Sequence, residues 1–151
     1  MGKLQQHLQE MQTYISKKSV QNNAVSSVSV GWHLDHCLIV IYRIATQVQK
    51  SNPAEFNKQF NWKRMMVFAT NHIPRGKAKA PKVVQPEGEI SEDALLEKFT
   101  LAKNKLLELD KLTGNYHFKH PYFDDLNVKQ TQKFLVLHTL HHLKIVRDML
   151  G

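Results

Sequence analysis

The sequence of 151 residues is poor in the residues that define several classes of protein. A single cysteine, Cys37, excludes an intramolecular disulfide, a zinc finger and an iron–sulfur cluster within one chain. Six glycines and five prolines exclude collagen-like and low-complexity chains. The longest apolar run, Cys37 to Tyr42, is too short to span a bilayer, and the polar amino-terminal segment contains no signal-peptide pattern. The sequence therefore predicts a cytoplasmic protein that does not associate with membranes.

Positive charge and histidine are both in excess. Lysine and arginine outnumber aspartate and glutamate by 21 to 13, and nine residues are histidine. The sequence has no glycine-rich phosphate loop, no nucleophile elbow and no HExxH zinc-protease motif. The histidines therefore give the strongest indication of chemistry, and the charge bears on the partners.

Apolar residues recur at helical spacing in five segments, and no segment predicts a strand. Prolines and glycines interrupt residues 73–90, which predicts a long crossover loop, and residues 115–126 are expected to form a second loop. We expect an all-α fold, a four-helix bundle with one long crossover loop and a short extra helix, in a single domain over residues 1–151. The predicted helices are residues 3–17, a helix capped by Ser27 or Ser29 that runs to about Lys50, residues 62–71, a helix that starts at Ser91 and ends before Gly114, and a helix from Asn127 to Leu150.

The segment HTLHH in the last helix has the spacing of a metal-binding pair. His138 and His142 are four residues apart, so their side chains project from one helical face and could chelate one ion. His138 with His141 is an alternative pair. Because Leu135 and Ile145 flank this face, we expect it to point inward.

A third ligand would come from WHLDHCL in the second helix, which offers His33, Asp35 and His36. With Leu34 taken as the core direction, His33 lies nearer the apolar stripe, so periodicity favours His33. Inward histidines that only make hydrogen bonds are the alternative to a metal site.

Three stretches of the chain carry a family resemblance: SVGWHLDHC (29–37), HPYFDDLN (120–127) and QTQKFLVLHTLHHLKIV (130–146). They resemble the DinB-like superfamily, also called the DinB/YfiT-like metalloenzymes, and are most similar to a bacterial subgroup of unknown function. The resemblance implies a helical bundle that holds one divalent metal ion through His36, His138 and His142. It thus favours His36 over His33.

The resemblance also implies a function, because superfamily members of known activity include thiol-dependent transferases and isomerases. It implies a metal-dependent enzyme, a transferase of low-molecular-weight thiols or a hydrolase, with zinc or nickel as the ion and iron or manganese as further candidates. His141, His33 and His120 are candidates for contacts to the ligands or to the substrate. A metal-binding helical bundle without catalytic activity is the alternative.

The loop RGKAKAPK concentrates four positive charges, on Arg75, Lys77, Lys79 and Lys82. Such a loop could attract an anionic small-molecule substrate, in this case an anionic thiol. Aromatic residues are not interleaved with these charges, which disfavours a nucleic-acid-associated stress protein. The sequence does not decide between a monomer and a homodimer.

Overall fold

The structure, a computed structural model, describes residues 2–76 and 80–151. These residues form five α-helices and one two-stranded antiparallel sheet, which confirms a mainly helical fold. Single turns of 3-10 helix lie at Ile15–Lys17, Pro53–Glu55 and Lys82–Val84. The helices are α1 (Gly2–Thr13), α2 (Val30–Lys50), α3 (Trp62–Thr70), α4 (Glu92–Leu109) and α5 (Val128–Leu150), and the strands are β1 (His117–His120) and β2 (Asp124–Asn127).

The predicted amino-terminal caps of the three longest helices are confirmed. The hydroxyls of Ser29 and Ser91 each accept a hydrogen bond from the backbone N–H three residues later. Asn127 and Gln130 form a reciprocal capping box at the start of α5. Each cap satisfies a backbone donor that would otherwise lack a partner, which is worth about 1 kcal/mol.

The core lies where α2 packs against α4 and α5, while α1 closes the remaining side against α5 and α4. The first helix ends at Thr13, earlier than predicted, and Ile15 reaches the core from the 3-10 turn that follows. In the described part of the chain, no helix combines the length and the apolar character needed to cross a membrane.

The start of α2 is fixed by a close approach to the turn that follows α1. The N–H of Gly31 donates to the carbonyl of Lys18 at 2.8 Å, and the N–H of Val30 donates to that of Val20 at 3.0 Å. A Cβ at position 31 would lie 2.9 Å from the Lys18 carbonyl oxygen, so the contact requires glycine. This contact sets where α2 begins, and therefore where its histidines point.

An ion pair between a buried carboxylate and a partly exposed ammonium joins α2 to α4. The ammonium of Lys98 donates to both carboxylate oxygens of Asp35, at 2.7 and 2.9 Å. The Asp35 side chain is 2% exposed, whereas that of Lys98 is 39% exposed. The pair thus orients a buried carboxylate beside His36 toward α4 and away from the histidine face.

Residues 115–126 do not form the predicted loop, because most of them belong to a β-hairpin. Strands β1 and β2 pair antiparallel, and Phe118 faces Leu126 with both side chains buried. Asp124 has a φ of 58° at the end of the turn. The guanidinium of Arg64 in α3 donates to the carbonyls of Phe123 and Asp125 at 3.0 and 3.2 Å. The Arg64 contacts come from a distant part of the chain, and strands of only four residues give no recognisable pattern in the sequence.

Candidate metal centre

Three histidines from two helices converge at the contact between α2 and α5. His36, His138 and His142 each offer one ring nitrogen, and these three atoms lie within 4.8 Å of one another. Their ring centroids are 4.6 to 5.1 Å apart. The spacing of four residues in α5 therefore directs both of its histidines at one point on α2.

The ring of His36 is held in one orientation. Its Nδ1 lies 2.7 Å from the carbonyl oxygen of Val84, and because a carbonyl can only accept, Nδ1 carries the proton. The Trp32 ring stacks on it at a centroid distance of 4.9 Å and an angle of 14°. The lone pair of the neutral ring is thus on Nε2, which lies 3.3 Å from Nε2 of His138.

This separation fits a pair of metal ligands. Nitrogen ligands bind zinc at about 2.0–2.1 Å, so two of them at a tetrahedral angle lie about 3.3–3.4 Å apart. Without an ion, Nε2–H of His138 can donate to the lone pair of His36, and a cation would take the place of that shared proton. The other ring nitrogen of His138, Nδ1, has no hydrogen-bond partner among the described residues.

The cluster is electrically neutral at ordinary pH. Burial lowers the pKa of His36, and burial together with the neighbouring histidines lowers the pKa of His138 and His142 well below the usual value. Neutral imidazoles offer lone pairs, and the cluster contains no carboxylate or thiolate. A divalent ion bound by these three groups would retain its full charge.

His33, the ligand that periodicity favours, lies beside the cluster and contacts one of its members. The side chain is buried, and Nδ1 lies 2.9 Å from Nδ1 of His142. Its Nε2 lies 2.9 Å from the hydroxyl oxygen of Ser26. The pKa of His33 is lowered to about 4, mainly by burial and to a smaller extent by the nearby His36. Both histidines of WHLDHCL therefore point inward, but only His36 presents a nitrogen to the three-residue cluster.

His120 is enclosed by aromatic rings at the end of β1. Its ring stacks on Phe123 at 4.4 Å and meets the edge of Phe134 at 4.6 Å, and Phe134 in turn lies 5.5 Å from His138. Because Nδ1 accepts from the backbone N–H of Tyr122, the proton of the neutral ring is on Nε2. Burial lowers the pKa of His120 to about 4.

His141 lies next to the cluster, with its ring centroid 5.1 Å from that of His142. It lines a groove of about 420 Å³ together with Arg75, Lys144 and Asp148. Arg75 donates to the carboxylate of Asp148 at 2.7 Å. Positive charge is therefore present beside the cluster, although part of it is neutralised by this ion pair.

The four cations predicted to act together in one loop do not all line the same groove. Lys77 and Lys79 lie outside the described residues. Of the other two, Arg75 lines the groove beside His141, whereas Lys82 lines a second groove, of about 670 Å³, with Arg43. Neither groove is lined by any of the three clustered histidines.

Three contacts to the histidines were not predicted from the sequence. The contact of His36 with the Val84 carbonyl could not be predicted, because it involves a main-chain group in a segment predicted to be a loop. Ser26 lies in a polar turn whose path follows from tertiary contacts. Trp32 lies four residues before His36 in the same helix, so its stacking on that ring was visible in the helical spacing.

The fold and the site together define a mainly helical protein in which three imidazoles could hold a metal ion. The model of the family described as "Protein of unknown function (DUF1569)" matches residues 4–149, and the chain belongs to this family. No curated protein and no solved structure matches the chain. The family description names no activity.

Proposed function

We propose that this protein is a metal-dependent enzyme of the DinB-like superfamily, in which four long helices form the bundle and His36, His138 and His142 hold one divalent ion. One observation carries the proposal. Three neutral imidazoles from two helices bring ring nitrogens within 4.8 Å of one another, and one pair has the separation of tetrahedral ligands.

The ligand set suits an ion of borderline softness with positions left for a substrate. Imidazole favours zinc or nickel, with iron or manganese as further candidates. Such an ion would supply a Lewis acid that lowers the pKa of a bound water or thiol. The chain fixes the His36 ring through Val84 and Trp32, so this ring would need little reorganisation on binding.

A low-molecular-weight thiol with an anionic group is the proposed substrate. The groove that contains Lys144 and Arg75 is lined by His141, whose ring lies against that of His142 in the cluster. In the described residues, the ammonium of Lys144 makes no ion pair, so it can attract a carboxylate on the thiol. The proposed reaction is a displacement in which the thiol sulfur forms a bond to an electrophilic carbon. The leaving group departs from that carbon with the electron pair of the broken bond, and the thiol proton passes to water.

Cobalt-substituted protein tests this proposal. Addition of thioglycolate, an anionic thiol, should produce a sulfur-to-metal charge-transfer band, and neutral mercaptoethanol should require a higher concentration. Lys144→Gln should remove this preference and leave the cobalt content unchanged, while His138→Ala should remove the cobalt itself. If cobalt binds but no thiol changes its spectrum at millimolar concentration, thiol transfer is wrong. A hydrolytic or non-catalytic metal site would then be the better account.

A further inference from the structure

The ring of His142 is connected to a hydrogen-bonded chain that leads away from the cluster. Its Nδ1 lies 2.9 Å from Nδ1 of His33, and Nε2 of His33 lies 2.9 Å from Oγ of Ser26. The backbone N–H of Val28 donates to the same hydroxyl at 3.3 Å. His33 is 4% exposed, so water has little access to this chain.

The direction of the bond between the two histidines decides which nitrogen of His142 has a lone pair. A neutral imidazole carries one proton, so one nitrogen donates and the other accepts. If Nδ1 of His142 donates to His33, its Nε2 is free to bind an ion. If His33 donates instead, the proton of His142 is on Nε2, and no lone pair is available there.

Only one arrangement of protons satisfies both the metal site and the chain. With the His142 proton on Nδ1, His33 accepts at Nδ1 and therefore carries its own proton on Nε2. That N–H then donates to the Ser26 hydroxyl. Both ring nitrogens of His33 and the outer nitrogen of His142 are then satisfied, as expected of groups that orient a metal-binding histidine.

We propose that His33 and Ser26 are positioning residues, which hold His142 in the tautomer that leaves Nε2 free for a divalent ion. This inference rests on the proposed function and adds the groups that prepare its site. The partner of His36 is a carbonyl, which can only accept. The partner of His142 is an imidazole, which can also donate, and donation by His142 requires that the Ser26 hydroxyl accept from Nε2 of His33.

Zinc affinity of a matched series of variants tests the functional part of the proposal. His33→Phe keeps a ring of similar size but removes the acceptor, and it should weaken zinc binding by about 10–100-fold. His33→Asn places an acceptor near the position of Nδ1 and should recover most of the affinity. Ser26→Ala should also weaken zinc binding. His72→Ala, which replaces an exposed histidine, should leave the zinc affinity unchanged.

Two further measurements separate positioning from a structural role. Thermal unfolding of the metal-free variants reports any loss of stability, which a positioning role does not require. Two-bond hydrogen–nitrogen correlations of isotope-labelled histidine report the tautomer of His142, identified by its absence in His142→Gln. The proton should be on Nδ1 in the unaltered protein, with or without zinc.

The outcomes are distinguishable. If the unaltered protein binds no zinc, the proposed function fails, and the tautomer of His142 still decides whether the chain has the proposed direction. A proton on Nε2 of His142, or unchanged zinc affinity in His33→Phe, would overturn the positioning role. Weak binding in His33→Asn equal to that of His33→Phe would overturn it as well, because the restored acceptor would then have no effect.

Discussion

Acidification should destabilise the metal-free protein through His120. Burial between Phe123 and Phe134 lowers its pKa to about 4 in the folded state, against about 6.5 when the chain is unfolded. Between these values the unfolded chain binds the proton and the folded one does not. The stability is therefore greatest above about pH 6.5 and is lost as the pH falls toward about 4.

The size of this loss of stability follows from how far burial lowers the pKa of His120. Because one pKa unit corresponds to about 1.4 kcal/mol, lowering the pKa of His120 from about 6.5 to about 4 corresponds to about 3.4 kcal/mol when the titration is complete. Between about pH 7 and about pH 5, His120 alone should lower the free energy of unfolding by about 2 kcal/mol. His33, whose pKa is also lowered to about 4, should add a similar amount.

Urea unfolding in the presence of a chelator, at several pH values between these limits, measures the effect. His120→Phe keeps an aromatic ring against Phe123 and Phe134 but removes the proton-binding group. Its decrease in stability over this range should be about 2 kcal/mol smaller than that of the unaltered protein. His72→Ala should behave like the unaltered protein. The same decrease in His120→Phe as in the unaltered protein would refute the reasoning.

Three other predictions concern buried contacts of α2. Gly31→Ala should lower the free energy of unfolding by about 1–3 kcal/mol, because its Cβ would lie 2.9 Å from the Lys18 carbonyl oxygen; chemical denaturation measures this loss. Lys98→Met leaves the Asp35 carboxylate buried without its cation and should lower the free energy of unfolding by about 3 kcal/mol. Asp35→Asn leaves a partly exposed ammonium and should cost less, so equal losses in the two variants would contradict this prediction. Burial raises the pKa of the Cys37 thiol, so it should react with a thiol reagent only as fast as the protein unfolds.

The helices could be predicted from the sequence because their signals are local. Ser29, Ser91 and Asn127 mark helix starts through bonds to residues within one turn, and the structure confirms all three. The hairpin was missed because its stability depends on distant partners. Phe118 and Leu126 face each other in the core, and Arg64 in α3 binds the hairpin carbonyls.

The metal site could be predicted in part, because one of its signals is also local. The spacing of His138 and His142 is a property of one helix, so their shared face was evident. Periodicity favoured His33, but it is a weak guide here because His33 and His36 are both buried in a helix that packs on more than one side. The resemblance pointed to His36, whose Nε2 lies 3.3 Å from that of His138. The Val84 carbonyl that orients this ring belongs to a segment without a periodic pattern.

The metal content of protein purified without a histidine tag tests the central claim most directly. After equilibration with zinc and removal of the excess, elemental analysis should find one ion per chain. His36→Ala, His138→Ala and His142→Ala should each lose it, while His72→Ala should retain it. No metal in the unaltered protein under any loading condition, or an undiminished content in His36→Ala, would contradict the account.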